Sequence, residues 1–291
     1  MTFSLSTLLL DGTATGCATI GAKTYRLADL GTPPTVAALF EDWPRWSAHL
    51  QGATPSCAAM PDGLPVLAPM QFPGKILCAG ANYYDHSAEM GVQDLRKEAQ
   101  RLFFFMKPPR NAVVGPGATV RMPIGTKAMD WEVELALIIG ETARNVSEAD
   151  AMSHVAAYTV AIDFSARDHN RAPETFYKLD WVAGKAHDTC CPMGPRIIPA
   201  SDIGDAMDLA LSLSVNGETK QNARTAGMIF NIAEQIATAS RIMTLDPGDV
   251  ILTGTPAGVG APKGTFLSVG DTVTATIEKI GALTVTIQPE G

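Results

Sequence analysis

The segment Asp130-Trp-Glu-Val-Glu-Leu-Ala-Leu-Ile-Ile139 constrains this chain more than any other. From Val133 to Ile139 it is strongly apolar and reads as a buried strand. Strand period two puts Glu132 and Glu134 on one face, with Val133, Leu135 and Leu137 on the other. Two carboxylates side by side on so apolar a strand repel each other and lose hydration. Two arrangements relieve this. Either the strand end is solvated and both carboxylates point at water, or a cation sits between them. Hard oxygen ligands without Cys or His suit Mg²⁺, Mn²⁺ or Ca²⁺ better than Zn²⁺.

Asp163 tilts the choice towards the cation. It ends the apolar strand segment Tyr158-Thr-Val-Ala-Ile-Asp163, where a polar burst begins: Ser165, Arg167, Asp168, His169, Asn170 and Arg171. A carboxylate at a strand exit is well placed as a third ligand. Arg167 suits a bidentate grip on a substrate carboxylate, or an ion pair with Asp168 or another acid. In Gly80-Ala-Asn-Tyr-Tyr-Asp-His-Ser-Ala-Glu89, one helical turn over Asp85 to Met90 brings His86 and Glu89 to one face. A carboxylate that orients an imidazole makes a general base; the same two residues also suit a surface pair. Lys185 and Lys107 are each either a stabiliser of a developing enolate or an exposed lysine. Thr253-Gly-Thr-Pro-Ala-Gly-Val-Gly260 lacks the P-loop lysine and the dinucleotide spacing, so it reads as backbone and hydroxyl groups, Thr255 among them, lining a pocket.

The rest of the chain sets the frame. Its 291 residues suffice for one large domain with a small one. A formal charge of -8 without a Lys/Arg run excludes nucleic acid as a partner. No apolar stretch approaches a membrane span, and Thr7-Leu-Leu-Leu10 has no basic region before it, so it does not read as a signal peptide. Five cysteines in no zinc pattern read as reduced thiols in a cytoplasmic protein. Residues 1–70 form a small N-terminal domain, with a helix over Thr35–Leu50 interrupted at Pro44. Residues 71–291 form the catalytic domain. Strands are expected at Lys75–Gly80, Leu211–Val215 before an Asn216-Gly217 turn, Asp249–Thr253, Val273–Ile277 and Leu283–Ile287. Helices are expected from Ser147 to about Tyr158, opened by a capping box, and from about Thr225 to Met243. Strands dominate and no βαβ alternation is visible, which indicates an α+β, mainly β fold.

The ordered motifs Asn82-Tyr-Tyr-Asp-His86, Phe105-Met-Lys-Pro-Pro109, Asp130-Trp-Glu-Val-Glu134, Asp163-Phe-Ser-Ala-Arg-Asp168, Gly184-Lys185, Pro247-Gly-Asp249 and Thr253–Gly260 together resemble the fumarylacetoacetate hydrolase family. The resemblance implies a mixed β-sandwich roll with a small N-terminal domain, assembled as a homodimer. It implies Mg²⁺ or Mn²⁺ on Glu132, Glu134 and Asp163, with His86 and Glu89 matching the dyad of acylpyruvate-cleaving members. In that subgroup the dyad lies on a lid that orders with ligand. Lys185 matches the family's active-site lysine, and Tyr83, Lys107, Arg167, Asn170 and Thr255 are expected to bind a small 2-oxo acid. Asn170 departs from the family's frequent Gln. The charged stretch from Gly91 to Leu102, followed by Phe103-Phe-Phe105, is expected to shape the lid and the substrate preference. The implied reaction is hydrolysis of a carbon–carbon bond in a 1,3-dicarbonyl acid, with decarboxylation of an oxaloacetate-like acid or isomerisation of a 2-hydroxy-dienoic acid as alternatives.

Overall fold

The structure is a computed structural model that describes residues 2–290. Its spine is a long mixed sheet. Across it run Lys23–Arg26, Thr13–Ile20, Phe3–Leu10, Cys191–Pro199, Val155–Ile162, Val133–Ile139, Val250–Leu252, Ile76–Ala79 and Phe104–Lys107. The two central strands, Val133–Ile139 and Val155–Ile162, are buried at every position and pair antiparallel, with Val133 opposite Ile162. A second sheet runs Glu218–Arg224, Ala210–Val215, Thr272–Ile277, Gly281–Gln288 and Thr119–Arg121. It packs on one face of the first, where Val133, Leu135 and Leu137 join Leu211, Leu213, Val273 and Val285 in one core. Each such side chain contributes about 1.5–3 kcal/mol of burial. Ala136 and Ile138 face the other way, into a core shared with Phe3, Leu5, Phe40 and Trp43 of the N-terminal region. Glu134 is in register with these two, so strand alternation sends its carboxylate away from the sandwich.

The mainly β architecture agrees with the sequence reading. The N-terminal strands extend the long sheet through Leu5 opposite Ile197. Asn216 and Gly217 both take positive φ, 51° and 81°, as the two-residue hairpin turn requires. Among the described residues, no helix is long and apolar enough to cross a membrane.

Three helix expectations are corrected. The segment after Ser147 is helical only over Glu148–Ala151, with Ser147 accepting from Asp150 N–H. After a 3₁₀ turn the chain becomes the strand Val155–Ile162, so Tyr158 is in a sheet. Its β-branched residues are buried on both faces between two strands, and pairing outweighs the cap signal. The late helix begins at Ile232, not near Thr225, because Asn231 and Glu234 form a reciprocal capping box there. Before it come a 3₁₀ turn over Thr225–Gly227 and a bend held to Asn82: Ile229 N–H donates to Asn82 O at 2.9 Å and Phe230 N–H to Asn82 Oδ1 at 2.8 Å. The early helix breaks at Phe40–Asp42, and the next one begins at Trp43 with Pro44 in its first turn, where the missing N–H costs nothing.

Asn82 is a fastening point that the sequence did not announce. Its fully buried amide also donates to Phe230 O at 2.9 Å and Thr253 O at 2.8 Å. It ties the strand Ile76–Ala79 to the Gly-rich loop. Asn82→Ala strands these buried partners, and a loss of about 2–4 kcal/mol in unfolding free energy is expected from urea unfolding.

Candidate active site

The strands Val133–Ile139 and Val155–Ile162 end side by side, and their carboxylates meet there. Glu132, Glu134 and Asp163 are all buried, and one oxygen from each lies within 4.8 Å of the others. Cations from outside the strands surround them. Lys185 Nζ lies 2.5 Å from Glu132 Oε2 and 2.6 Å from Asp163 Oδ2. Lys107 Nζ reaches Asp163 Oδ1 at 2.6 Å and donates to Phe164 O at 2.9 Å. Arg167 spans two acids, with Nη2 on Glu132 Oε1 at 2.5 Å and Nε on Asp130 Oδ2 at 2.9 Å. Asp130 also accepts from Gly260 N–H at 2.6 Å and Ala261 N–H at 3.1 Å, which fixes the Gly-rich loop against the site.

The charges are not evenly matched. Burial opposes the charge of Glu132, yet Arg167 and Lys185 hold its carboxyl well below the usual range. Burial, then the neighbouring Asp163 and Glu132, push the Glu134 carboxyl well above its usual value. Glu134 accepts from Gly254 N–H at 2.5 Å and has no ion pair among the described residues. Gly254 takes φ +99°, and a Cβ there would lie 2.7 Å from Asn82 Cβ, so only glycine brings that N–H so close. Three converging carboxylate oxygens, one of them without a countercharge, fit a hard divalent cation.

His86 of the dyad borders the same space. His86 and Glu89 lie on the short helix Tyr84–Glu89, with His86 Nδ1 2.8 Å from Glu89 Oε1. The other carboxylate oxygen of Glu89 accepts from Gly258 N–H at 2.8 Å. The carboxylate thus fixes the ring and leaves Nε2 as the working nitrogen. A cavity of about 270 Å³ is lined by His86, the three carboxylates, Lys185, Arg167, Asn170 and Thr255. Its outer wall is apolar, formed by Met90, Val92, Phe103, Phe105 and Trp181.

Two expected substrate residues lie elsewhere. Tyr83 does not line the cavity; it is fully buried and its hydroxyl has no partner. Lys107 is buried behind Asp163 and also stays out of the cavity lining. Asn170 turns its amide to Asp180 O at 3.1 Å. The Thr255 hydroxyl is held between Val133 O at 2.9 Å and Gln221 Nε2 at 2.8 Å. Sequence reasoning missed Asp130, Gln221 and Trp181. For Asp130 a signal existed, since period two puts it on the face of Glu132 and Glu134. Gln221 gave none: it reaches the site from a distant hairpin strand and accepts from Val133 N–H at 2.9 Å.

Comparison with known proteins follows the same lines. The mitochondrial oxaloacetate tautomerase fahd2 of Xenopus laevis is 41% identical over 220 residues, which are 75% of this chain and 66% of that protein. The chain thus spans just under two thirds of that relative's length. The 2-hydroxyhepta-2,4-diene-1,7-dioate isomerase of Mycobacterium marinum superposes with a TM-score of 0.76 at 31% identity, over 99% of this chain and 100% of that one. Fumarylpyruvate hydrolase of Pseudomonas aeruginosa, solved with Mn²⁺ and pyruvate, gives 0.67 at 32% identity, over 79% of this chain and 93% of the other. The sequence pattern of the fumarylacetoacetate (FAA) hydrolase C-terminal domain matches residues 75–288, and the chain belongs to the fumarylacetoacetate hydrolase family.

Proposed function

We propose that this protein hydrolyses the carbon–carbon bond of an acylpyruvate-type 1,3-dicarbonyl acid, with Mg²⁺ or Mn²⁺ on Glu132, Glu134 and Asp163. The observation that carries the reading is that His86, held by Glu89 from behind, and the three carboxylates line one cavity. When bound, the divalent ion supplies Lewis-acid polarisation of the 2-oxo-carboxylate end and charge to stabilise an enolate. The remaining steps belong to side chains. His86 Nε2 takes a proton from water, while Glu89 keeps the ring oriented and stabilises the imidazolium that forms. The hydroxide adds to the distal carbonyl, the bond to the central carbon breaks, and pyruvate leaves as its enolate. Lys185, buried at the cavity floor, places positive charge beside that enolate. The imidazolium then returns its proton to the enolate carbon.

A second reading is tautomerisation of oxaloacetate, favoured by the 41% identity to an oxaloacetate tautomerase. It needs the same base and consumes no water. The apolar outer wall supports the first reading, since an uncharged acyl group suits it better than a second carboxylate does. A panel of small acylpyruvates and oxaloacetate with Mn²⁺ separates the two. Release of pyruvate with one equivalent of carboxylic acid is expected. Loss of the oxaloacetate enol absorbance, without cleavage of any acylpyruvate, would favour the tautomerase.

A further inference from the structure

The cavity lined by the carboxylates and His86 is not closed at its aromatic wall. A second recess of about 150 Å³ lies beyond it. The two share Gly80, Ala81, Ser87, Val92 and Phe103 as lining. Beyond this boundary the recess is completed by Leu95, Ile229 and Phe230, with the exposed Gln100 and Arg101 at its rim.

Phe103 is the partition. Its ring lies on the backbone of Gly80: a Cβ on that glycine would sit 2.0 Å from the ring's Cζ. The Phe103 backbone is pinned, because its carbonyl accepts from Gly80 N–H at 3.0 Å. The side chain is held more loosely. It is 39% exposed and tilts against Trp181 with ring centroids 5.5 Å apart. A change of rotamer at one residue therefore joins the two spaces without moving the main chain.

We infer that the outer recess seats the acyl tail of the substrate, and that Phe103 sets how long a tail the site accepts. The ligand class is a 2-oxo acid with an unbranched, uncharged alkyl chain. The inference rests on the proposed function, which holds the 2-oxo-carboxylate head at the three carboxylates. With the head there, the chain runs outward along the apolar wall, and Phe103 is what it meets. A charged chain end would lose its water against Leu95, Ile229 and Phe230. An alkyl end gains about fourfold in affinity for each methylene buried.

The test uses the Mn²⁺-loaded full chain and calorimetric Kd values for two acids that hydrolysis does not cleave, 2-oxobutanoate and 2-oxooctanoate. Phe103→Ala is expected to tighten 2-oxooctanoate about tenfold or more and to change 2-oxobutanoate less than about threefold. Adding Leu95→Trp, which fills the recess, is expected to cancel that gain. Equal tightening of both acids, no tightening of the long one, or a gain that survives Leu95→Trp would overturn the tail seat while leaving the proposed reaction standing. Failure of wild type to bind 2-oxobutanoate would overturn the 2-oxo-acid reading itself, and the tail seat with it.

Discussion

Asp163→Ala is expected to lower the stability of the metal-free protein by about 3–5 kcal/mol, because it leaves buried ammonium groups without their carboxylate. Asp163 is fully buried and takes both Lys107 and Lys185 at 2.6 Å. Without it Lys185 retains Glu132, but Lys107 keeps only the Phe164 carbonyl. Burial works against the Lys107 charge, and chiefly the Asp163 carboxylate holds its ammonium above the usual lysine range. The effect should be read in urea unfolding, with wild type and variant compared at one pH. A companion variant isolates the cause: Asp163→Ala with Lys107→Met removes both charges of one pair and should recover most of the loss. An unfolding free energy for Asp163→Ala within about 0.5 kcal/mol of wild type would contradict this ion-pair account.

Glu134→Gln should behave in the opposite way. In metal-free protein it is expected to change stability by less than about 1 kcal/mol, because the side chain is close in shape and its acceptor for Gly254 N–H is kept. Burial beside Asp163 and Glu132 already disfavours the charged form of Glu134, so an amide replaces a group that gains little from ionising. The consequence appears on adding metal. At about 100 times its Kd, Mn²⁺ should stabilise wild type by about 2.7 kcal/mol, a rise of about 5 °C or more in the thermal midpoint. The variant should show no such rise. Turnover should fall about a thousandfold, equivalent to about 4 kcal/mol of lost transition-state stabilisation. Together the two variants separate a carboxylate that holds the fold from one reserved for a ligand.

Local patterns carried much of this structure in the sequence. The strand Val133–Ile139 follows from its apolar run, and Leu211–Val215 with its Asn216-Gly217 turn and the C-terminal hairpin follow from period two and turn residues. All form where expected, while the partner strand Glu218–Arg224 was not expected. Strand order did not follow. Cys191–Pro199 lies between the N-terminal strand Phe3–Leu10 and Val155–Ile162, a pairing with no local signature. The Ser147 cap was real but weaker than the pairing that drew Tyr158 into the sheet. At the site, Glu132, Glu134, Asp163, Arg167 and Lys185 come together, and His86 and Glu89 lie within hydrogen-bond reach. Lys107 looked like a substrate contact because a motif shows residue type but not the direction of approach. The partners of Asp130, Asn82 and Gln221 lie 34 to 171 residues away along the chain, and spacing does not encode them.

The most direct test of the reading is turnover of a small acylpyruvate by chelator-treated protein, before and after adding Mn²⁺, for wild type and His86→Ala in parallel. Pyruvate release should require the added metal and should fall about 10²–10⁴-fold in the variant, the range expected for loss of a general base. Equal rates with and without metal, or equal rates for wild type and His86→Ala, would contradict it.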